Sequence, residues 1–194
     1  MLELVNDSFS SKEEYTPQKM SREFEVEDPF DLVGEVPHVY EVKSKNASFE
    51  LYKRAYHVLS EAKRVHDFRA VCEDSNMDEE SKVKKLGSLM NESQLSCKMY
   101  YDCSSTQLDE IIQLAKDSGA LGSRLTGAGW GGCSVSLVKK AELQGFIDKM
   151  YTYFTKEREL GQELWISDDL ERYLFATQPA QGACVIDPQY TLWH

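Results

Sequence analysis

The stretch Ser123-Arg124-Leu125-Thr126-Gly127-Ala128-Gly129-Trp130-Gly131-Gly132-Cys133-Ser134-Val135-Ser136-Leu137-Val138 decides how this 194-residue chain is read. Four of the six positions from Gly127 to Gly132 are glycine, so the backbone can turn tightly and bring bare N–H groups against a ligand. Cys133 to Val138 then alternates small or polar residues with apolar ones, the period-two pattern of a strand. The loop is therefore expected to feed a strand and not to open a helix. That order excludes a dinucleotide-binding loop, although Gly127, Gly129 and Gly132 satisfy G-x-G-x-x-G in form, because pyrophosphate needs a helix N-terminus after the loop. No lysine follows Gly132, so the P-loop pattern is absent too. A protein-kinase glycine loop does lie between two strands, but its companion H-R-D and D-F-G motifs are missing. The plain alternative is a tight turn whose glycines only permit positive φ.

Working outward, helices precede the loop. From Phe49 to about Cys72, the residues Leu51, Ala55, Val58, Leu59, Ala62 and Val65 fall on one stripe, the expected core face, with Lys53, Arg54, Glu61, Lys63 and Arg64 mostly elsewhere. Asp78-Glu79-Glu80 starts a second helix with acids at its positive end and Val83, Leu86, Leu89 and Met90 inward. A third runs from about Ser105 through Leu108, Ile111, Ile112 and Ala115 to Gly119. Past the loop, a helix from about Lys140 to Glu157 presents Leu143, Phe146, Ile147, Met150 and Tyr151. Two strands near Tyr173–Thr177 and Ala183–Ile186 are expected to close the chain. Helices followed by strands around one crossing helix describe an α+β domain. Residues 1–48 differ, with Glu23, Glu25, Glu27, Asp28 and Asp31 clustered beside Pro29 and a short helical turn expected near Ser11–Glu14.

Composition narrows the function classes. A formal net charge of −11 without a basic stripe argues against a nucleic-acid surface. The longest apolar runs fall far short of a membrane span, and the N-terminus lacks the regions of a signal peptide. Five cysteines without C-x-x-C spacing read as reduced, mostly buried thiols and not as a metal site, which together suggest a cytoplasmic protein.

The residues flanking the loop favour a ligand site over a plain turn. Ser123 to Cys133 resembles the third conserved motif of the GHMP sugar kinases, in its galactokinase and N-acetylgalactosamine kinase form. Leu51-Tyr52-Lys53-Arg54-Ala55 with His57-Val58 and Ser60-Glu61-Ala62 resembles that family's L-Y-x-R-A-x-H-V-x-S-E-A helix. Leu89 to Ser93, Ser96-Cys97, Tyr101 to Ser104 and Leu108-Asp109 are similar to another family block, and Leu174 to Thr177 with Gly182-Ala183 to its closing strands. Gln94 stands where many relatives have histidine, as in fungal galactokinases and their sensor paralogues, and Leu125 and Trp130 fit the G-A-G-W-G-G branch.

The resemblance implies a ferredoxin-like C-terminal lobe, an antiparallel sheet with helices on one face, over residues 49–194, with 1–48 as a variable acidic segment. It implies ATP-dependent phosphorylation of the 1-hydroxyl of galactose or N-acetylgalactosamine with Mg²⁺ bridging phosphates. A non-catalytic sensor or regulatory paralogue that binds sugar and ATP is the alternative. Thr126, Gly127, Ala128, Gly129, Gly131 and Gly132 are then expected near the phosphates, with Arg124 anchoring the turn and Trp130 fixing its shape. Neither the family's sugar-binding motif nor its serine-rich phosphate loop occurs here, and no position matches its catalytic aspartate. No residue of this chain is therefore assigned as catalytic or as a metal ligand, and the chain alone is expected to be inert without an N-terminal lobe. Asn91, Ser93 and Gln94 read as a polar helix face satisfied by neighbours, His57 and His66 as surface or boundary residues, Asp109 as structural, and Met90, Met99, Tyr100 and Tyr101 as core.

Overall fold

A computed structural model describes residues 2–9, 12–28, 30, 48–154 and 173–179. The chain divides into two compact units, Met1–Phe146 and Ile147–His194. In the first, short helices α1 (Leu2–Ser8) and α2 (Pro17–Glu23) precede the long helix α3 (Leu51–Glu73) and then α4 (Glu79–Ser96). A π-helical turn, Cys97–Tyr101, continues α4, and α5 (Thr106–Asp117) follows. Strands β1 (Gly122–Thr126) and β2 (Cys133–Leu137) pair antiparallel around the glycine loop, with Gly122 opposite Leu137 and Thr126 opposite Cys133. A 3₁₀ turn, Lys140–Glu142, leads to α6 (Leu143–Thr152).

Local chemistry sets the helix starts. Asp78 accepts from the Ser81 amide at 2.9 Å and Ser105 from the Leu108 amide at 3.2 Å, each satisfying a donor that the first turn leaves free. Thr16 does the same for the Lys19 amide ahead of α2, where Pro17 occupies the first helical position. The segment expected to turn near Ser11–Glu14 is instead flanked by α1 and α2, and Tyr15 forms an isolated bridge with Phe49. Asn6 of α1 accepts from the Tyr52 hydroxyl at 2.8 Å, tying the N-terminal residues to α3.

Cys97, Cys103, Leu108, Ile112 and Leu125 form a buried cluster, so α5, β1 and the π turn share one core. Gly87 of α4 lies against β1. A Cβ there would sit 2.5 Å from Leu121 O, so only glycine lets helix and strand approach this closely. The α+β class holds, as a helical layer against a two-stranded antiparallel sheet among the described residues.

Two expectations need correction. Tyr173–Thr177 is not a strand, and Tyr173 and Phe175 are exposed. A strand exists only through a hydrogen-bonded neighbour, and the one expected for it, Ala183–Ile186, lies outside the described residues, as does the end of the helix expected to reach Glu157. The second correction concerns α3. Its buried residues are Tyr52, His57, Ser60 and Val71, whereas Val58 is 53% and Val65 62% exposed. The expected core stripe faces out, because the sheet on the other side offers Arg124, which needs a carboxylate more than it needs a methyl group.

Candidate functional site

The site is built from the seat upward. The side chains at positions 57, 60, 61 and 64 of α3 share one helical face, which is polar. Glu61 accepts from the Ser93 hydroxyl at 2.7 Å, from Arg64 at 3.0 Å and from Arg124 Nη1 at 2.9 Å. Burial pushes its carboxyl up, but the Ser93 and Arg64 hydrogen bonds and the Arg124 charge outweigh burial and hold it below the ordinary value. His57, expected near the surface, is buried. Its Nδ1 lies 3.0 Å from Ser96 Oγ and its ring stands 4.6 Å from that of Tyr101. Burial lowers its pKa against the opposing pull of Glu61. His66 is exposed, as expected.

Side chains of α4 take the β1 backbone groups that β2 leaves. Asn91 donates to Leu121 O at 3.1 Å and accepts from the Ser123 amide at 3.1 Å, and Gln94 Oε1 accepts from the Leu125 amide at 2.8 Å. These amides are buried, and side-chain acceptors spare them the cost of an unmade bond. The polar face of α4 is thus satisfied by its neighbours. Gln94 also donates to Ser104 at 3.2 Å, whose hydroxyl donates to Asp109 at 2.7 Å, and Lys98 pairs with Asp109 at 2.8 Å. Burial raises the Asp109 carboxyl, while Lys98 and Ser104 pull it below its usual range. Asp109 is structural in this arrangement.

The π turn then clamps the loop. Asp102 ends it in the left-handed region (φ 59°), a conformation that aspartate tolerates better than most residues. Cys103 O accepts from the Trp130 amide at 2.7 Å and Asp102 O from Trp130 Nε1 at 2.9 Å. These two bonds hold Trp130 at φ 56°, a costly backbone for a large side chain. Arg54 donates to Tyr100 O and pairs with Glu50, fixing the clamp to α3. Sequence reasoning missed the Asp102 and Cys103 carbonyls, since main-chain acceptors leave no residue-type signature. The expectation of core positions fails for Met99, 54% exposed, and for Tyr101, 40% exposed. Of the described thiols, Cys97 and Cys103 are buried, while Cys72 and Cys133 are exposed. Burial and the neighbouring Cys103 push the Cys97 thiol up to about 11, so it is protonated and inert.

Above this seat the loop is open. Thr126, Gly127, Ala128 and Gly132 are exposed, and Gly129 and Gly131 are half-buried. Gly129, at φ 88°, rests on Cys103, where a Cβ would collide with the carbonyl. A Cβ at Gly127, Gly131 or Gly132 would meet nothing within 4 Å. Among the described residues, the amides of these three glycines have no backbone acceptor, in contrast to that of Trp130. Arg124 turns away from the loop to Glu61, and its Nε donates to Leu125 O at 3.1 Å. Trp130 is 64% exposed and closes one end of an open groove of about 790 Å³ lined by Arg54, Ala55, Val58, Leu59, Tyr101 and Asp102. No described helix is long and apolar enough to cross a membrane.

Residues 75–156 match the family described as "GHMP kinases C terminal". The chain is 33% identical over 199 residues to galactokinase of Dictyostelium discoideum, covering 96% of this chain and 39% of that protein. It is 40% identical over 140 residues to galactokinase of Saccharomyces cerevisiae, covering 71% of this chain and 26% of the yeast protein. A crystal structure of Lactococcus lactis galactokinase complexed with galactose aligns with 71% of this chain and 34% of its own, with a TM-score of 0.47 and 26% identity. This chain spans about two fifths or less of the curated relatives it matches. It carries the GHMP kinase C-terminal domain. Over most of its length the chain is similar to galactokinases.

Proposed function

We propose that the chain forms the C-terminal lobe of a galactokinase-type kinase, an ATP:sugar 1-phosphotransferase acting on galactose or N-acetylgalactosamine in the cytoplasm. The observation that carries this reading is the loop, where the amides of Gly127, Gly131 and Gly132 make no backbone hydrogen bond among the described residues and a Cβ at each would meet nothing within 4 Å, while Trp130 and Gly129 rest on Cys103. Donors fixed in place before the reaction stabilise charge that develops on transferred phosphoryl oxygens without reorganising. The loop suits an anionic phosphate despite the net charge of −11, because backbone dipoles act locally. Thr126, exposed at the end of β1, adds a hydroxyl donor beside them, and Ala128 is the smallest side chain that the turn carries.

Arg124 supports the turn through Glu61 and is not a phosphate contact in this reading, and Trp130 sets the loop's shape. Among the described residues no cluster of three or more His, Cys, Asp or Glu fits a metal ion, and Mg²⁺ is assigned to the complete kinase and not to the loop. The catalytic base is likewise assigned to an N-terminal lobe. Phosphoryl transfer depends on positioning and electrostatics together, so the chain by itself is inert.

The test is ADP release with galactose and with N-acetylgalactosamine, by the 194-residue chain and by a chimera. In the chimera, this chain replaces the matching stretch of Dictyostelium galactokinase. The chain alone should show no turnover. The chimera should turn over at least one of the sugars, and Gly132→Val, which keeps the N–H but sets a branched side chain beside it at φ 86°, should cut that rate by about ten-fold or more. Turnover by the chain alone, or a folded chimera without turnover, contradicts the reading.

A further inference from the structure

We propose that Gln94 is a positioning residue for the glycine loop: its one amide group ties the strand that enters the loop to the segment that holds Trp130. Both legs of the loop are then set by a single side chain. That the loop serves a phosphate rests on the reading above; that Gln94 joins its two legs does not. Gln94 lies on α4 and is buried. Its Oε1 accepts from the Leu125 amide at 2.8 Å, two residues ahead of Gly127. Its Nε2 donates to Ser104 Oγ at 3.2 Å, and Ser104 directly follows Cys103, whose carbonyl takes the Trp130 amide. Gly129 rests on that same Cys103.

The two bonds call for opposite polarity. The Leu125 N–H only donates, so position 94 must turn an acceptor to it. The Ser104 hydroxyl gives its proton to Asp109 at 2.7 Å, so towards position 94 it offers a lone pair and needs a donor. An amide meets both demands from one planar group. An ionised carboxylate would serve Leu125 alone and would stand against the Asp109 carboxylate, which Gln94 Nε2 reaches at 3.4 Å. Leu125 and Cys103 also share the buried apolar cluster, but dispersion has no direction and cannot aim a backbone. Asn91 is the contrast. It bonds Leu121 O and the Ser123 amide, which are neighbours on one strand, and so fixes one leg without reference to the other. Aim matters because loop donors act on phosphoryl oxygens only where they point, and a misplacement of about 1 Å can cost on the order of 100-fold in rate. Gln94 acts through Leu125 and Ser104.

Amide exchange on the 194-residue chain carrying Gln94→Leu reads the bridge directly. The Leu125 amide should exchange about 30-fold or more faster and the Trp130 amide about five-fold or more faster. The Ser123 amide, held by Asn91, should stay within about two-fold. Equal acceleration at all three means that Gln94 only supports the fold, and an unmoved Trp130 means that it holds one leg; either overturns the proposal. Should Gln94→Leu fail to fold, Ser104→Ala decides, since it keeps the Leu125 bond and should speed Trp130 alone; no acceleration there overturns the proposal. The kinetic counterpart is Gln94→Glu in the Dictyostelium chimera. The introduced carboxyl keeps an acceptor for Leu125, lacks a donor while ionised and regains one when protonated. At pH 8 kcat should fall about ten-fold with the KM for ATP within about two-fold, and the deficit against the unaltered chimera should narrow as the pH is lowered towards 6. Burial and Asp109 of α5 raise the introduced group's pKa against the pull of Lys98 of the π turn, while Arg124 of β1 is engaged by Glu61 of α3. A deficit carried by KM, or one that ignores pH, overturns the positioning role. An unaltered chimera without turnover removes the kinase reading alone and leaves the exchange measurement to decide the bridge.

Discussion

On its inward face α3 carries His57, Ser60, Glu61 and Arg64; on its outward face it carries Ala55, Val58, Ala62 and Val65. The inward side chains are held by Ser96, Ser93 and Arg124, whereas Val58, Ala62 and Val65 are exposed, and Ala55 and Val58 share a groove with Trp130. A fully satisfied polar network can occupy an interior as well as an apolar layer can, and it fixes geometry more tightly because each bond has a direction. Dispersion between methyl groups carries no such direction. The same contrast recurs within the loop. Gly129 is pressed onto Cys103, and Gly127 has open space above it.

The largest effect should come from that second contrast. Gly129→Ala places a methyl group against Cys103 O at a left-handed φ, and a loss on the order of 4 kcal/mol combines overpacking with backbone strain. Gly127→Ala meets only the conformational cost, about 1 to 2 kcal/mol. Equal losses in chemical denaturation would show that the clamp does not touch Gly129. Next in size, Glu61→Leu removes the shared acceptor of Ser93, Arg64 and Arg124 and should destabilise by about 2 kcal/mol, less than a fully buried pair because both partners are partly exposed. A stabilised variant would mean that the inward face tolerates apolar residues as well as the outward one does.

Smaller again is the pH response of His57. Its folded pKa lies below the ordinary value of 6.5, so the unfolded chain binds the proton first as pH falls through 6.5. Stability is therefore fully present at neutral pH and lost as the solution is acidified from pH 7 towards 5. Glu61 stays ionised across that window, its pKa being held below 4.5. Tm measured across the window should decline, and His57→Gln should flatten the slope; an unchanged slope in the variant assigns the response elsewhere. Smallest of all, Val65→Gln on the outward face should shift stability of the isolated chain by no more than about 0.5 kcal/mol. A loss above 2 kcal/mol would reverse the comparison.

Much of this architecture could be read in the residues. The β-branched alternation from Cys133 placed β2 after the loop, Asp78 and Ser105 marked helix starts, and Leu108, Ile112 and Ala115 are buried as the stripe of α5 requires. Periodicity also grouped the apolar residues of α3 together, but it could not say which way they face, since a polar stripe at the same spacing competes for the interior once a neighbouring strand presents an arginine. His57 was misplaced for that reason. The clamp was illegible because it consists of two carbonyl oxygens, at Asp102 and Cys103, whose positions depend on a π turn that no residue pattern announces. The strand expected at Tyr173–Thr177 shows the converse, an alternating sequence that does not form a strand.

Amide hydrogen exchange on the 194-residue chain probes the central claim, a rigid seat beneath an open loop, at the bonds themselves. The amides of Ser123, Leu125 and Trp130, donated to Asn91, Gln94 and Cys103, should exchange at least about a thousand-fold more slowly than those of Gly127, Gly131 and Gly132. Loop glycines protected as strongly as Leu125 would mean that the turn is closed by the protein itself and has no donors left for a phosphate, contradicting the account.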